Sequence, residues 1–304
     1  MAGRRIRRAT KTKTKTNPLA VLAVILLAVV LVLGGVLVMK LAQRASEMDL
    51  AREAERVQID EQEDTVTVGG QQVEIDRSLP QSDLEAEHFT ANADGTITYD
   101  GAARYGIDVS SHQGEIDWAA VAADGVEFAI LRIGYRGYSE GALNFDQQFE
   151  TNYAGAMENG IDVGVYFFSQ AIDEVDALQE AKQVIKWLDG KEIDGPVVYD
   201  WEHITYDTAR TDEVTGETVT ACAKIFCQEI QSAGYEPMIY CNGMLGYLSY
   251  DLNELTDIPI WYAEYSEHPS YAYETTIWQY TDSGSVDGIQ GSVDRNIWFQ
   301  DGDG

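Results

Sequence analysis

The spacing of apolar and polar positions predicts a region in which strands alternate with helices. Short apolar runs of strand length recur from Tyr105 onward, and segments of helical period lie between them. The predicted strands are Tyr105–Val109, Phe128–Gly134, Asp162–Ser169, Pro196–Asp200 and Pro237–Cys241. The predicted helices are Trp118–Ala123, Phe145–Asn159, Glu174–Leu188 and Glu217–Ala233. Strands that alternate with helices are typical of parallel β-α units.

The alternation ends after Cys241. Three further strands are predicted there, "IPIWYAEY" from Ile258, "TTIWQYT" over Thr275–Thr281 and "SVDRNIW" over Ser292–Trp298, with no long helix between them. About eight strands with four or five helices favour an α/β fold that closes into an incomplete β/α barrel. An open doubly wound sheet is the alternative, although the region contains neither GxGxxG nor a P-loop.

The chain before this region is predicted to form a tail, a membrane span and a stalk. Residues 1–18 are basic, and residues 19–39 contain no charge over a length that crosses a hydrocarbon core of about 30 Å. Basic residues before a retained signal anchor keep the amino terminus in the cytoplasm. The pattern therefore predicts a single-pass protein of the cell membrane, with an extracellular stalk over residues 40–103 and an extracellular domain over residues 104–304.

Two short β units are predicted within the stalk. "TVTVGGQQVEI" alternates on both sides of Gly69-Gly70, which is typical of a hairpin, and "ADGTITYDG" forms a second turn-and-strand unit at Ala93–Gly101. The residues from Lys40 to about Asp64 are rich in helix formers, so we expect an exposed helical segment there.

Composition limits the partners. The net charge of −30 argues against nucleic acid, and a hydrophobic fraction of 45% is enough for a sizeable core. The three cysteines, Cys222, Cys227 and Cys241, include no C-x-x-C pair and are interpreted as small buried side chains. A disulfide that uses Cys241 remains open.

The stretch "VVYDWEHI" places two acids at the end of a predicted buried strand. Asp200 and Glu202 are two residues apart, so their side chains share one face of the strand, and Trp201 points to the opposite face. Two carboxylates on one face repel each other, and burial of either one is costly. The pair indicates either a chemical site or a solvated rim beyond the strand.

The carboxyl ends of the other predicted strands carry acids and aromatic rings. In a β/α barrel the chemistry lies at these ends, where Asp108 joins Asp200 and Glu202, while Asp294 lies in the last strand. Aromatic faces beside carboxylates suit the cleavage of a sugar polymer, because sugars stack on rings and acids protonate the glycosidic oxygen. The alternative for each ring, Tyr166 and Phe168 included, is an ordinary place in the core.

Four motifs occur in order along this region, "YGIDVSSHQGEIDW" from Tyr105, "VYDWE" from Val198, "IWYAEY" from Ile260 and "IWQYTDSGSVDGIQGSVDRN" from Ile277. Together they resemble the glycoside hydrolase family 25 lysozymes, which are the Chalaropsis-type N-acetylmuramidases. The resemblance extends over roughly residues 104–300. It implies an irregular TIM-like (β/α)5β3 barrel that hydrolyses the β-1,4 bond between N-acetylmuramic acid and N-acetylglucosamine in peptidoglycan, with no metal or cofactor.

The resemblance also implies roles for the acids. Glu202 is the expected general acid/base, its pKa raised by the neighbouring Asp200 carboxylate, and Asp200 is its partner beside the substrate acetamido group. Asp108 and Asp294 are expected to shape the pocket floor. The expected substrate-binding residues are Tyr166, Phe168, Tyr240, Trp261, Tyr265, Trp278, Gln279 and Gln113.

The resemblance leaves two points open, the role of a loop that departs from the family pattern and the function of the chain. The long loop after the fourth strand, residues 203–216, either roofs the groove or is inert. The function itself has two main interpretations, a lysozyme that remodels the cell wall and a catalytically silent module that binds peptidoglycan. Cleavage of another amino-sugar polymer, such as chitin, is a third.

Overall fold

The computed structural model describes Lys40, residues 57–60 and residues 63–300. Two compact units divide the chain, Met1–Glu53 and Ala54–Gly304, and every element below belongs to the second. The predicted basic tail and membrane span lie outside the described residues, as does most of the predicted helical segment.

The predicted location in the cell membrane is contradicted. Among the residues that the structure describes, no helix is long and apolar enough to cross a bilayer. A crossing helix needs about 20 mostly apolar residues, whereas the longest described helix has 17 residues and carries polar side chains along one face.

Fourteen strands and five α-helices form within residues 57–60 and 63–300. The strands are β1 (Gln58–Asp60), β2 (Thr65–Val68), β3 (Gln71–Glu74), β4 (Phe89–Ala91), β5 (Ile97–Tyr99), β6 (Ala103–Val109), β7 (Phe128–Arg136), β8 (Leu143–Phe145), β9 (Asp162–Ser169), β10 (Val197–Trp201), β11 (Pro237–Asn242), β12 (Ile260–Ala263), β13 (Ile277–Gly284) and β14 (Val293–Phe299). The helices are α1 (Trp118–Ala123), α2 (Phe149–Glu158), α3 (Glu174–Leu188), α4 (Gly216–Ser232) and α5 (Gly243–Leu248).

Eight of the described strands close into a barrel, so the fold is mixed α/β. The order is β6-β14-β13-β12-β11-β10-β9-β7, and the pairing of β6 with β7 completes the ring. Pairs from β6 through β13 are parallel, whereas β14 runs antiparallel to both of its neighbours. The closed barrel excludes the open doubly wound sheet that the sequence left as an alternative.

The strand residues alternate between the interior of the barrel and an outer layer. Apolar side chains such as Ile130, Val198 and Trp261 pack together inside the barrel. Their neighbours in sequence, including Leu131, Val197 and Tyr262, belong to the larger core between the strands and the helices. This period of two fixes which side chains face the interior, because successive strand residues point to opposite faces.

Within the segment predicted to be a stalk, the described residues 57–60 and 63–103 pack on the barrel. Val57, Val66, Val68, Ile75 and Leu79 are buried and belong to the same core as the barrel strands and helices. The hairpin β2–β3 lies on α5, where Met244 fills the space beside Gly69.

The hairpin β4–β5 covers strands that no long helix follows. Phe89 contacts the rings of Trp278 and Phe299 edge-on at 5.5 and 6.1 Å, and Tyr99 contacts Phe299 at 5.2 Å. The apolar outer faces of β13 and β14 need a cover, and aromatic side chains of the preceding segment supply it.

Candidate active site

The strand β10 places two acids at the carboxyl edge of the barrel. Asp200 lies inside the strand and Glu202 directly follows it, and both share the interior face with Val198. Trp201 points outward and is fully buried, with its indole N–H donating to the Ala171 carbonyl at 3.0 Å. The outward direction predicted for Trp201 is therefore confirmed.

The Asp200 and Glu202 carboxyl groups form a hydrogen bond with each other. Burial, followed by the charges of Glu202 and Asp108, raises the pKa of Asp200 well above its usual range. Asp200 is only 5% exposed, and its Oδ1 atom has no hydrogen-bond partner among the described residues. Because two carboxyl groups can share a hydrogen bond only when one of them is protonated, the pair holds a proton.

Asp108 and Asp294 form a second pair of acids, beside the first. They lie opposite each other on β6 and β14, and Asp294 reaches the carboxyl edge because β14 runs antiparallel and starts there. Asp108 Oδ2 accepts hydrogen bonds from Gln279 Nε2 at 2.8 Å and Asn296 Nδ2 at 2.9 Å. Burial raises the pKa of Asp108 to about 6, and burial with the Asp108 charge raises the pKa of Asp294 to about 8.

Several of the predicted substrate-binding residues surround these acids. The hydroxyls of Tyr240 and Tyr265 donate to Gln279 Oε1 at 3.3 and 3.2 Å, which joins them to Asp108 through the same amide. Tyr265 is 43% exposed and stands at the rim, so its ring is accessible. Tyr166 and Phe168 lie half-buried on the interior face of β9, and Phe168 is in register with Asp200.

Two of the predicted substrate-binding residues, Trp261 and Trp278, pack in the core instead of lining an open site. Trp261 is 2% exposed inside the barrel, where its indole N–H donates to Asn296 Oδ1 at 2.8 Å. Trp278 points to the outer layer and packs against Phe89, because Gln279 occupies the interior face and adjacent strand residues alternate. Trp278 was therefore wrongly placed in the site.

Gln113 caps a short 3-10 helix, Ser111–Gln113. Its side-chain carbonyl accepts from the Ser110 backbone N–H at 2.9 Å, and the Ser110 hydroxyl in turn accepts from the His112 backbone N–H. The S-x-x-Q spacing in "SSHQ" is a capping box and was a signal for this role. His112 is exposed at the same turn.

Sequence reasoning missed Arg132 and Asn296. Arg132 faces the barrel interior from β7, donates from Nε to Asp146 Oδ2 at 2.8 Å and lowers the pKa of Asp200. Asn296 joins Asp108 to Trp261 by two hydrogen bonds. Period-two alternation from Ile130 and from Asp294 was an available signal for both.

Two features of the described residues lie away from the acids. A cavity of about 210 Å³ is found at the amino ends of β12 and β13, with Leu79, Pro80 and Leu255 among its lining residues. On the surface, ligand atoms of Glu85, Glu87 and His88 come within 4.8 Å of one another, but the two glutamates are exposed and His88 is hydrogen-bonded to Asp100.

A barrel with paired carboxyl groups at its carboxyl edge and tyrosines beside them defines the class of the glycoside hydrolases. The family model "Glycosyl hydrolases family 25" matches residues 107–289. The chain therefore belongs to glycosyl hydrolase family 25.

Two proteins named as lysozymes are similar to the chain over the same region. The autolytic lysozyme of Clostridium acetobutylicum is 29% identical over 191 residues, which cover 62% of this chain and 54% of that protein. Lysozyme M1 of Streptomyces globisporus is 28% identical over 207 residues, covering 63% of this chain and 66% of its own. The chain thus spans about half the length of the autolytic lysozyme.

Solved structures support the fold. The autolysin LytC from Streptococcus pneumoniae, solved in complex with a synthetic peptidoglycan ligand, has a TM-score of 0.59 at 24% identity and covers 77% of this chain and 56% of its own. The spore cortex lytic enzyme SleM of Clostridium perfringens has a TM-score of 0.56 at 25% identity and covers 65% of this chain and 67% of its own.

Proposed function

We propose that the chain is a peptidoglycan-cleaving lysozyme, a Chalaropsis-type 1,4-β-N-acetylmuramidase that acts in cell-wall remodelling or turnover. The observation that carries the proposal is the hydrogen-bonded Asp200–Glu202 pair beside Asp108 and Asp294. The relatives that are named lysozymes support the choice of substrate. The catalytic domain is taken to extend over residues 104–304, with the irregular TIM-like (β/α)5β3 arrangement of the family.

In this proposal the Asp200–Glu202 pair delivers one proton to the leaving sugar. Burial favours the protonated form of Asp200 in the resting enzyme, and its hydrogen bond to Glu202 provides a path for the proton. Glu202 is the more accessible of the two, so it donates the proton to the glycosidic oxygen as general acid. Asp200 becomes a carboxylate as positive charge develops on the sugar, and this charge stabilises the transition state.

The product is expected to keep its anomeric configuration. An inverting enzyme holds its two carboxyl groups about 6.5–9.5 Å apart to admit a water molecule, whereas the hydrogen bond between Asp200 and Glu202 brings their carboxyl groups closer than that. Two retaining routes are compatible with this contact. Asp200 attacks the sugar itself, or it orients the substrate's own acetamido oxygen for the attack. We favour the second route, because the D-x-E arrangement of Asp200 and Glu202 resembles that of substrate-assisted glycosidases.

Asp108 and Asp294 shape the pocket floor and do not react with the glycosidic bond. The two amide donors hold Asp108 in one orientation, and the raised pKa of Asp294 to about 8 lets it keep a proton near neutrality. The two opposed acids thus carry less negative charge together than two free carboxylates would. Gln279 links this floor to Tyr240 and Tyr265, which are proposed to contact the sugar.

The test uses purified peptidoglycan and a chain that begins at Ala54, the start of the second compact unit. Digestion should release muramic acid at new reducing ends. Glucosamine at the reducing ends would contradict the muramidase assignment, and no release at all would indicate a silent binding module.

Glu202→Gln in the same chain should lower the rate by roughly 10²–10⁴-fold while the fold is kept. Wild-type activity in this variant would show that Glu202 is not the acid. A fluorosugar probe followed by mass spectrometry distinguishes the two routes, because a sugar adduct on Asp200 would contradict the substrate-assisted route.

A further inference from the structure

The loop that departs from the family pattern is held in a fixed position. The Arg210 backbone N–H donates to the Tyr138 carbonyl at 2.8 Å, and its guanidinium contacts Asp176 Oδ2 at 2.7 Å. The Thr211 hydroxyl donates to Gln170 Oε1 at 3.0 Å, and both of these residues are buried. The loop is therefore anchored on β7, on α3 and behind β9.

This anchoring presents an aromatic pair on the surface. Tyr206 is 70% exposed, the largest exposed fraction among the large hydrophobic side chains that are exposed in the described residues. Its ring meets the ring of Tyr138 at 5.9 Å and 80°, and the Tyr138 hydroxyl donates to Asp207 Oδ2 at 3.3 Å. The neighbouring ring restricts the orientation of Tyr206, and the large exposed fraction leaves the Tyr206 ring accessible.

The pair lies on the same barrel edge as the acids. Tyr138 follows β7 and Tyr206 follows β10, and β9 lies between these two strands. The two tyrosines therefore meet at the carboxyl edge of the barrel, between the segments that follow β10 and β7. Two strand spacings, about 10 Å, separate β10 from β7, so a polymer bound at Glu202 can continue over β9 toward the pair.

The surroundings favour contact with an uncharged, apolar face of a ligand. Asp207, beside the pair, is acidic, and the only cation described in this loop, Arg210, is engaged by Asp176. Ile172 and Val175, which follow β9 at the same edge, are exposed at 37% and 62%. Sugar rings present uncharged C–H faces that stack on aromatic rings.

We propose that Tyr206 and Tyr138 form a glycan-binding platform, which binds sugar rings of the same peptidoglycan strand beyond the two sugars that flank the cleaved bond. The proposal rests on the proposed function. The contact with Tyr138 restricts the Tyr206 ring, so less conformational entropy is lost when a glycan binds.

The experiment measures binding and is independent of cleavage. Each variant is made in the Glu202→Gln background, in the chain from Ala54, and is sedimented with peptide-free glycan strands prepared from peptidoglycan. Tyr206→Leu should weaken binding about three- to tenfold, the range that one aromatic stacking contact supplies. Tyr206→Phe keeps the ring face and should bind like its parent.

Two controls make the result decisive. Met157→Ala, on the exposed end of α2, removes an apolar side chain that lies away from this edge and should leave binding unchanged. Urea unfolding midpoints for all variants identify any loss that comes from unfolding.

Three outcomes would overturn the platform. They are equal binding by Tyr206→Leu, an equal loss in Tyr206→Phe, and a loss seen only with polymer that carries peptide stems. None of them touches the proposed function, which fails separately if the chain from Ala54 releases no new muramic acid reducing ends from peptidoglycan.

Discussion

Asp200 illustrates how the tertiary structure changes the chemistry of a residue. The sequence predicts that the neighbouring Asp200 carboxylate raises the pKa of Glu202, and in the structure burial also raises the pKa of Asp200 well above its usual range. The proton belongs to the hydrogen-bonded pair, and sequence spacing alone does not determine which partner holds it.

Asp294 gives a prediction about stability and pH. Its pKa is about 8 in the folded chain and 3.8 when unperturbed, so the folded state binds the proton more tightly and its stability falls as pH rises from about 4 to about 8. Asp294→Asn removes this contribution. We expect the urea midpoint of the variant to fall less between pH 5 and pH 9 than that of the wild type.

The matched control is Asp257→Asn, which changes an exposed carboxyl group. Its pH dependence should equal that of the wild type. An Asp294→Asn variant whose midpoint falls as steeply as the wild type would show that Asp294 does not hold a proton in the folded chain.

At the scale of elements, a buried glutamine joins the loop after β10 to the end of that strand. Gln170 Nε2 donates to the Glu202 carbonyl at 2.7 Å, while its Oε1 accepts from Thr211. Gln170 thus fixes the backbone of Glu202 from behind β9, where α3 begins.

Gln170→Leu should destabilise the chain and lower its activity. It leaves the Glu202 carbonyl and the Thr211 hydroxyl without these partners in a buried place, which costs about 1–3 kcal/mol in the free energy of unfolding. We expect kcat on peptidoglycan to fall with KM less affected, because the displaced group is the proton donor. Thr211→Val should cost stability but reduce kcat less, and equal kcat values in Gln170→Leu and the wild type would contradict a positioning role.

The hairpin β4–β5 replaces a missing helix layer, and Phe89 is its main contact with the barrel. Phe89→Ala should lower the free energy of unfolding by about 1–3 kcal/mol, less than for a fully buried ring because Phe89 is half-buried. Urea unfolding measures the loss, and the exposed neighbour Thr90→Ala is the control. A loss no larger than that of the control would show that the hairpin does not stabilise the barrel.

At the scale of the molecule, residues 57–103 and the barrel form one folding unit. Their buried side chains share a core, and the isolated bridge between Gln81 and Tyr273 ties the segment to the barrel. The boundary at Arg104, predicted from the motifs, therefore marks where the family resemblance begins. It is not a boundary of the folding unit, because the barrel shares its core with described residues that precede Arg104.

A chain that begins at Arg104 should be much less stable than one that begins at Ala54. Without the hairpins, the outer faces of Trp278 and Phe299 lose their aromatic neighbours and become exposed to water. Thermal unfolding and size-exclusion chromatography measure the effect. A chain from Arg104 that matches the longer chain in both would contradict the single folding unit.

The fold was largely predictable, for local reasons. The alternation of strands and helices up to Cys241 corresponds to the parallel strands β6, β7, β9, β10 and β11, and its end corresponds to the helix-poor strands β12 to β14. The site position predicted for Trp278 was wrong because the residues of a strand that face the interior depend on where the alternation starts. Apolar and aromatic residues occur on both faces of this strand, so the sequence does not show which face is the interior one.

The sequence by itself determined the elements, the motifs and the family, because periodicity and residue identity are local properties of the chain. It also placed Asp108, Asp200, Glu202 and Asp294 as candidates. Only the tertiary structure decided which acid is most deeply buried, that Gln113 and Trp278 serve the fold, and that residues 57–103 cover the barrel. These outcomes depend on contacts between segments far apart in sequence. A side chain becomes buried, and its pKa shifts, only once those segments have packed together.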